Sequence, residues 1–201
     1  MNIASNPAEL ASGAELVITN VLSGDDVADV LLNRDDAVIH GAKSGLIVMD
    51  HSTIAPQQAQ NIYQRLKASQ IGFVDAPVSG GGAGAKAGTL VAMLGGDPED
   101  VASLFSVLSC YTNGFRHIGG SGHGQVAKLC NQIAQVVTIS GVSEAMRFAA
   151  IHDTDQNAVL DVMMQGFASS KMLELMAPKM ISDDYNPGME SRLHAKDMGI
   201  A

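Results

Sequence analysis

The stretch DAPVSGGGAGAKAGTL, residues 75–90, has enough glycine to resemble a nucleotide-phosphate loop. As a dinucleotide fingerprint it would read Gly82-x-Gly84-x-x-Ala87. Such a fingerprint needs a strand before it, a helix opening at the second glycine, and an acidic residue about 20 positions further on. A strand does precede it, GFVDA at 72–76. The run TLVAML at 89–94, directly after the glycines, reads as another strand and leaves no room for a full helix. Two other readings stay open. One is a glycine-rich hairpin or crossover. The other is a cradle for a small carboxylate, in which Ser79 offers a hydroxyl and Gly80, Gly81 and Gly82 expose backbone N–H groups unobstructed by Cβ.

On either side of this stretch the first half of the chain alternates. A short helix is expected at 7–12, with Asn6 as its cap and Pro7 at its first position. Apolar, β-branched runs predict strands at 15–22, 45–50, 72–76 and 89–94, with a short last one at 116–118. Helical spacing falls between them at 24–32, 56–69 and 97–108. This alternation predicts a mostly parallel sheet covered on both faces. Past Gly119-Gly120-Ser121-Gly122 the pattern is helical throughout, at 124–151, 155–165, 169–181 (interrupted by Pro178) and 190–201. An α/β part over 1–119 and an all-α part over 120–201 are expected.

The chain of 201 residues carries a formal charge of −9, so bulk electrostatics argue against nucleic acid or an anionic membrane as partner. Its two cysteines, Cys110 and Cys130, form no CxxC pair, and reduced thiols in a cytoplasmic protein are the expectation. No basic-then-apolar leader opens the sequence, and no apolar run is long enough to span a bilayer. The six histidines show no metal-ligand spacing, so no metal is expected; His123 reads as a bystander. The eleven methionines read as core filler.

The segment 75–90 resembles the substrate-binding signature of the β-hydroxyacid dehydrogenase family, whose members include 3-hydroxyisobutyrate dehydrogenases and 2-hydroxy-3-oxopropionate (tartronate semialdehyde) reductases. Three further segments, in the family's order, share the resemblance. Asp50-His51-Ser52-Thr53-Ile54-Ala55-Pro56 is similar to its D-x-S-T-x-x-P segment. Gly122-His123-Gly124-Gln125-Val126-Ala127-Lys128-Leu129-Cys130-Asn131-Gln132 is similar to its catalytic helix G-x-G-x-x-x-K-x-x-N. Lys196-Asp197-Met198-Gly199 is similar to its K-D-L-G. Gly166-Phe167-Ala168-Ser169-Ser170-Lys171 and Tyr185-Asn186-Pro187-Gly188 look most like the tartronate semialdehyde reductase branch.

The resemblance implies an NAD- or NADP-dependent oxidoreductase moving a hydride between the cofactor and a short hydroxy acid or semialdehyde. Tartronate semialdehyde to glycerate is the leading pair, and 3-hydroxyisobutyrate dehydrogenase chemistry the runner-up. Lys128 becomes the general acid and base. A lysine can serve both ways if burial or nearby positive charge brings its pKa toward neutrality, and an early position on a helix opposes protonation. By spacing alone Lys128 is equally an ordinary surface lysine. Asn131, three residues on, shares its face, and Gln132 and Gln135 extend the polar strip. Substrate contacts are implied at Ser79, Gly80, Gly81, Asn131 and Gln132. Cofactor contacts are implied at Thr53 (more weakly at Ser52), at Val21 and Leu22 where a strand ends, and at Lys196. Asp75 is expected to orient a turn.

The resemblance also implies an incomplete doubly wound Rossmann-type domain followed by a truncated helical domain. The family opens with a strand and a G-x-G-x-x-G turn, which here would lie upstream of Met1 together with the residue that separates NAD from NADP. The expectation is therefore a fragment of an active enzyme, with a non-catalytic remnant as the alternative from another class. Apolar residues on several faces of 124–151 (Val136, Val137, Ile139, Val142) imply a homodimer or homotetramer formed through the helices.

Overall fold

The computed structural model of the chain describes residues 3–186, 188 and 190–201. It divides into two compact units. The first runs to Leu129 and includes Gly199–Ala201; the second is Cys130–Met198. The contact boundary lies inside a helix, a little past the glycine-rich run at which the sequence pattern changes.

The first unit begins with α1 (Pro7–Ser12), whose cap Asn6 accepts from the Glu9 amide at 2.8 Å. Then come β1 (Leu16–Thr19) and α2 (Gly24–Ala28), which continues as a π-helical turn, Asp29–Asn33. After α3 (Val38–Gly41) the chain forms β2 (Ile47–Asp50), α4 (Pro56–Ala68), β3 (Gly72–Asp75), β4 (Val78–Ser79), α5 (Gly81–Ala87) and β5 (Leu90–Gly95). The unit continues with α6 (Pro98–Ser103), α7 (Phe105–Leu108), β6 (Thr112–Gly119) and the start of α8 (His123–Ile151).

The sheet runs β1-β2-β3-β5-β4, with β6 also paired to β5. β1, β2 and β3 are parallel, as are β5 and β6, but β5 is antiparallel to both β3 and β4. The sheet is therefore mostly parallel, as expected, with one reversal, that of β5 against β3 and β4. The reason lies in the glycine-rich stretch. β4, α5 and β5 form an antiparallel hairpin with a short helix at its tip, and a hairpin needs no long crossover. Val48 and Phe73 join one buried cluster, with Val27, Leu31, Ile62 and Leu66. Their chain neighbours Met49 and Val74 join another, with Leu94, Val101 and Leu108. Adjacent residues feeding two cores is what a sheet covered on both faces requires.

The structure differs from the sequence-based expectation in four smaller places. The expected helix 97–108 breaks at Leu104 into α6 and α7. The expected helix 24–32 turns π-helical halfway. The last strand is longer than 116–118, and β4, α3 and α5 are additions to the expected elements.

The second unit contains the rest of α8, then α9 (Gln156–Gln165), α10 (Lys171–Ile181) and most of α11 (Ser191–Ile200). Asp155 and Ser170 cap α9 and α10 by accepting from Asn157 and Leu173 amides. Its core is Val142, Met146, Leu173 and Ala177, with Met163, Met164 and Met180 against it. Those methionines fill gaps, as their flexibility suits. Pro187, in the segment compared with the reductase branch, lies outside the described residues. Among the described residues no helix is long and apolar enough to cross a membrane.

Candidate active site

Three parallel strands end on a row of polar residues. Register pairs Thr19 with Asp50 and Asp50 with Asp75, and all three are buried. Thr19 donates its hydroxyl to Asp50 Oδ1 at 2.8 Å. Ser52 donates its own to the same oxygen at 2.7 Å and accepts the Val21 amide at 2.9 Å. Ser52 thus uses its hydroxyl to tie the end of β1 to the end of β2. Beyond these ties, Val21 and Thr53 are half-buried and Leu22 is exposed. They sit at the carboxyl ends of parallel strands, where open α/β sheets take ligands.

The start of α8 is pinned by the next residue of that row. Asp75 Oδ1 accepts the Gly122 amide at 2.7 Å, and Oδ2 accepts the Gln125 amide at 3.0 Å. The carboxylate thereby serves the first-turn N–H groups that a helix leaves without intrahelical partners. Burial pushes the Asp75 carboxyl up to about 7; the two amides pull the other way, and the Asp50 charge adds to the rise. Asp75 was expected to orient a turn, and the turn it holds is the first of α8.

Close approach explains a glycine of the same motif. A Cβ on Gly124 would lie 2.5 Å from the Met93 carbonyl oxygen and 2.6 Å from that of Asp75. Both are main-chain atoms, so only glycine lets the helix start against the sheet here.

Two side chains then follow Asp75's contacts along the helix at intervals of three. Gln125, fully buried, accepts the Ile54 amide at 3.1 Å and donates to the Ser52 carbonyl at 2.9 Å. Lys128, 8% exposed, donates from Nζ to the Val78 carbonyl at 2.9 Å. Positions 122, 125 and 128 fall on one side of the helix. They meet the end of β3, the loop around Thr53, and β4. The amine of Lys128 is therefore out of bulk solvent and bonded to the residue before Ser79. Past Ser79 the chain turns through Gly80 and Gly81 with φ of +130° and +60°, values that disfavour any side chain. Both glycines are exposed and Ser79 is half-buried.

A histidine to which the sequence pattern assigned no role flanks the same segment. His51 Nδ1 lies 2.6 Å from the Ala76 carbonyl oxygen, and Nε2 lies 2.8 Å from the Tyr111 hydroxyl. A carbonyl only accepts, so Nδ1 carries the hydrogen. Burial lowers the ring's pKa, and the neutral ring accepts from Tyr111 at Nε2. His123, by contrast, is exposed. Among the described residues no group of three or more His, Cys, Asp or Glu is placed to hold a metal ion.

The remaining expected residues belong to the second unit. Asn131 is half-buried and donates to Gln132 Oε1 at 3.2 Å. Gln132, buried, donates in turn to Asp197 Oδ2 at 2.7 Å. Lys196 Nζ lies 3.3 Å from Asp197 Oδ1. The amide of Gln132 is thus engaged in holding α11.

Residues 1–119 match the family model described as the NAD-binding domain of 6-phosphogluconate dehydrogenase. Residues 122–201 match the model for the NAD-binding region of NADP-dependent 3-hydroxyisobutyrate dehydrogenase. A 2-hydroxy-3-oxopropionate reductase of Escherichia coli is 34% identical over 196 residues, covering 96% of this chain and 66% of the relative. A 3-hydroxyisobutyrate dehydrogenase of Pseudomonas aeruginosa is 33% identical over 205 residues, covering 98% and 68%. The solved structure of Mycobacterium tuberculosis 3-hydroxyisobutyrate dehydrogenase with L-serine superposes with a TM-score of 0.86 at 28% identity, covering 96% of this chain and 67% of that one. The chain thus spans about two thirds of the length of these relatives.

Proposed function

Because the chain belongs to the NAD(P)-dependent β-hydroxyacid dehydrogenase family, we propose that it takes part in the reversible reduction of a short semialdehyde, tartronate semialdehyde to glycerate, with Lys128 as proton donor and acceptor. The observation that carries this reading is the buried Lys128 amine held on the Val78 carbonyl, next to Ser79 and the Gly80–Gly81 turn.

The strand ends fit the nicotinamide end of the cofactor, with a half-buried threonine hydroxyl at position 53 and an apolar, exposed side chain at Leu22. NAD or NADP, when bound, supplies or takes up the hydride. The chain's own residues do the rest. Ser79 and the glycine N–H groups hold the substrate carboxylate. Lys128 gives a proton to the oxygen of the reduced carbonyl, or removes it in the other direction. The anchor on Val78 survives this exchange, because both the ammonium and the neutral amine have an N–H to donate. Burial keeps competing water from the amine. Asn131 and Lys196 keep the substrate and cofactor roles that their motifs imply. Assembly into a homodimer or homotetramer belongs to the same reading, supported by the exposed apolar residues Val137, Phe148 and Ile151 on α8.

The test is NAD(P)H oxidation by the purified chain with tartronate semialdehyde and with methylmalonate semialdehyde. Turnover of the first with little of the second supports the proposal. The reverse preference moves the substrate to the 3-hydroxyisobutyrate class, which the Pseudomonas aeruginosa relative favours at nearly the same identity. Turnover of neither, by protein that is folded, overturns it.

A further inference from the structure

We infer that Gln125 is a positioning residue for the nicotinamide cofactor, fixing the backbone on both sides of Thr53 to the helix that carries Lys128. The inference rests on the reading of Thr53 as a cofactor contact. Its physical basis is separate. The Gln125 amide is fully buried and uses its two ends on two main-chain groups, the Ile54 N–H at 3.1 Å and the Ser52 carbonyl at 2.9 Å. These groups bracket Thr53. They lie past the end of β2, where sheet hydrogen bonds no longer fix the chain. A side-chain amide supplies one donor and one acceptor in a single plane, so it replaces a missing neighbouring strand for two residues.

Gln125 is itself fixed at its backbone. Its own amide donates to Asp75 Oδ2 at 3.0 Å. One turn later on the same side stands Lys128. The loop that would meet the cofactor and the amine that would move the proton are thereby referenced to the same short piece of helix. Loss of the Gln125 side chain leaves a buried N–H and a buried C=O without partners, which is costly, and the loop relaxes toward water. Binding of the cofactor must then order the loop again, so cofactor affinity falls while the substrate cradle on β4 and α5, which Gln125 does not touch, is spared.

Gln125→Met keeps the length and removes both hydrogen bonds; Gln125→Glu keeps the acceptor for Ile54. Amide hydrogen exchange of the protein without cofactor reports the loop directly. In Gln125→Met the Ile54 amide is expected to exchange about tenfold faster, and in Gln125→Glu less so. In steady-state kinetics Gln125→Met should raise KM for the nicotinamide cofactor about tenfold while KM for the semialdehyde changes less than about threefold. Asn6→Ala serves as the stability control, because it removes an unrelated helix cap and should lower Tm without moving either KM.

Unchanged exchange at Ile54 overturns the inference. So does a parallel rise in both KM values, which would mark a general loss of structure. If the unmodified chain oxidises no NAD(P)H, the functional reading falls and takes this inference with it. If it does turn over and Gln125→Met keeps the original cofactor KM, the inference alone falls.

Discussion

Asp50 and Asp75 stand side by side at the ends of adjacent parallel strands, register partners and both without solvent exposure. Burial disfavours the charged form of Asp75, and the neighbouring Asp50 charge adds to the effect, so the Asp75 pKa rises to about 7 from an ordinary 3.8. A raised carboxyl pKa means that the folded protein holds a proton which the unfolded chain has released. The stability that Asp75 contributes is therefore fully present below about pH 4 and lost as pH rises through about 7. Asp75→Asn, which does not titrate, should show a flatter profile. The stability difference between the two proteins should shrink by a few kcal/mol between about pH 4 and 8, at about 1.4 kcal/mol per pKa unit. Urea unfolding across that range measures it, and parallel profiles would refute the assignment.

Replacement of Lys128 tests the chemistry. Lys128→Met should lower kcat/KM by about a hundredfold to ten thousandfold, the usual worth of a general acid. Lys128→Arg should be nearly as poor, since a guanidinium keeps its proton at any working pH. Cofactor binding, followed by nicotinamide fluorescence, should change little in either variant.

Gly124→Ala should destabilise by about 1–3 kcal/mol, the scale of an overpacked site, because its methyl group would meet two main-chain oxygens that cannot move aside. Gly120→Ala is the control, with nothing within 4 Å of its added methyl. Thermal melts of the pair should separate by several degrees.

The His51–Tyr111 hydrogen bond can be isolated by a double-mutant cycle. Tyr111→Phe and His51→Leu should each cost about 1 kcal/mol or more, and the double variant less than their sum, with a coupling of about 1 kcal/mol. Additive losses would show that the two side chains do not share a bond.

The α/β alternation is legible in the sequence because buried strands and amphipathic helices leave different periodicities; β1, β2 and β3 lie within the stretches expected for them, and β5 overruns its own by one residue. The reversal of β5 is not. It depends on a two-residue strand, Val78–Ser79, too short to leave a period, and on a helix built mostly from glycine and alanine. Within the site, Lys128 and the Ser79–Gly81 turn stand out by motif. Gln125 lies in the same motif, three residues before Lys128, and a search for polar residues on the lysine's side of the helix would have found it. His51 carries no such signal, since its partners lie 25 and 60 residues away. Asp50 opens one of the motifs, but its alignment with Thr19 and Asp75 becomes visible only through strand register.

The lysine's resting place is a peptide oxygen, that of Val78. Exchanging the side chain at 78 leaves that oxygen in the chain. The Val78 side chain packs against the buried cluster of Leu94 and Leu108, so replacements at position 78 should be felt in the stability of the sheet while the perch of the amine is conserved.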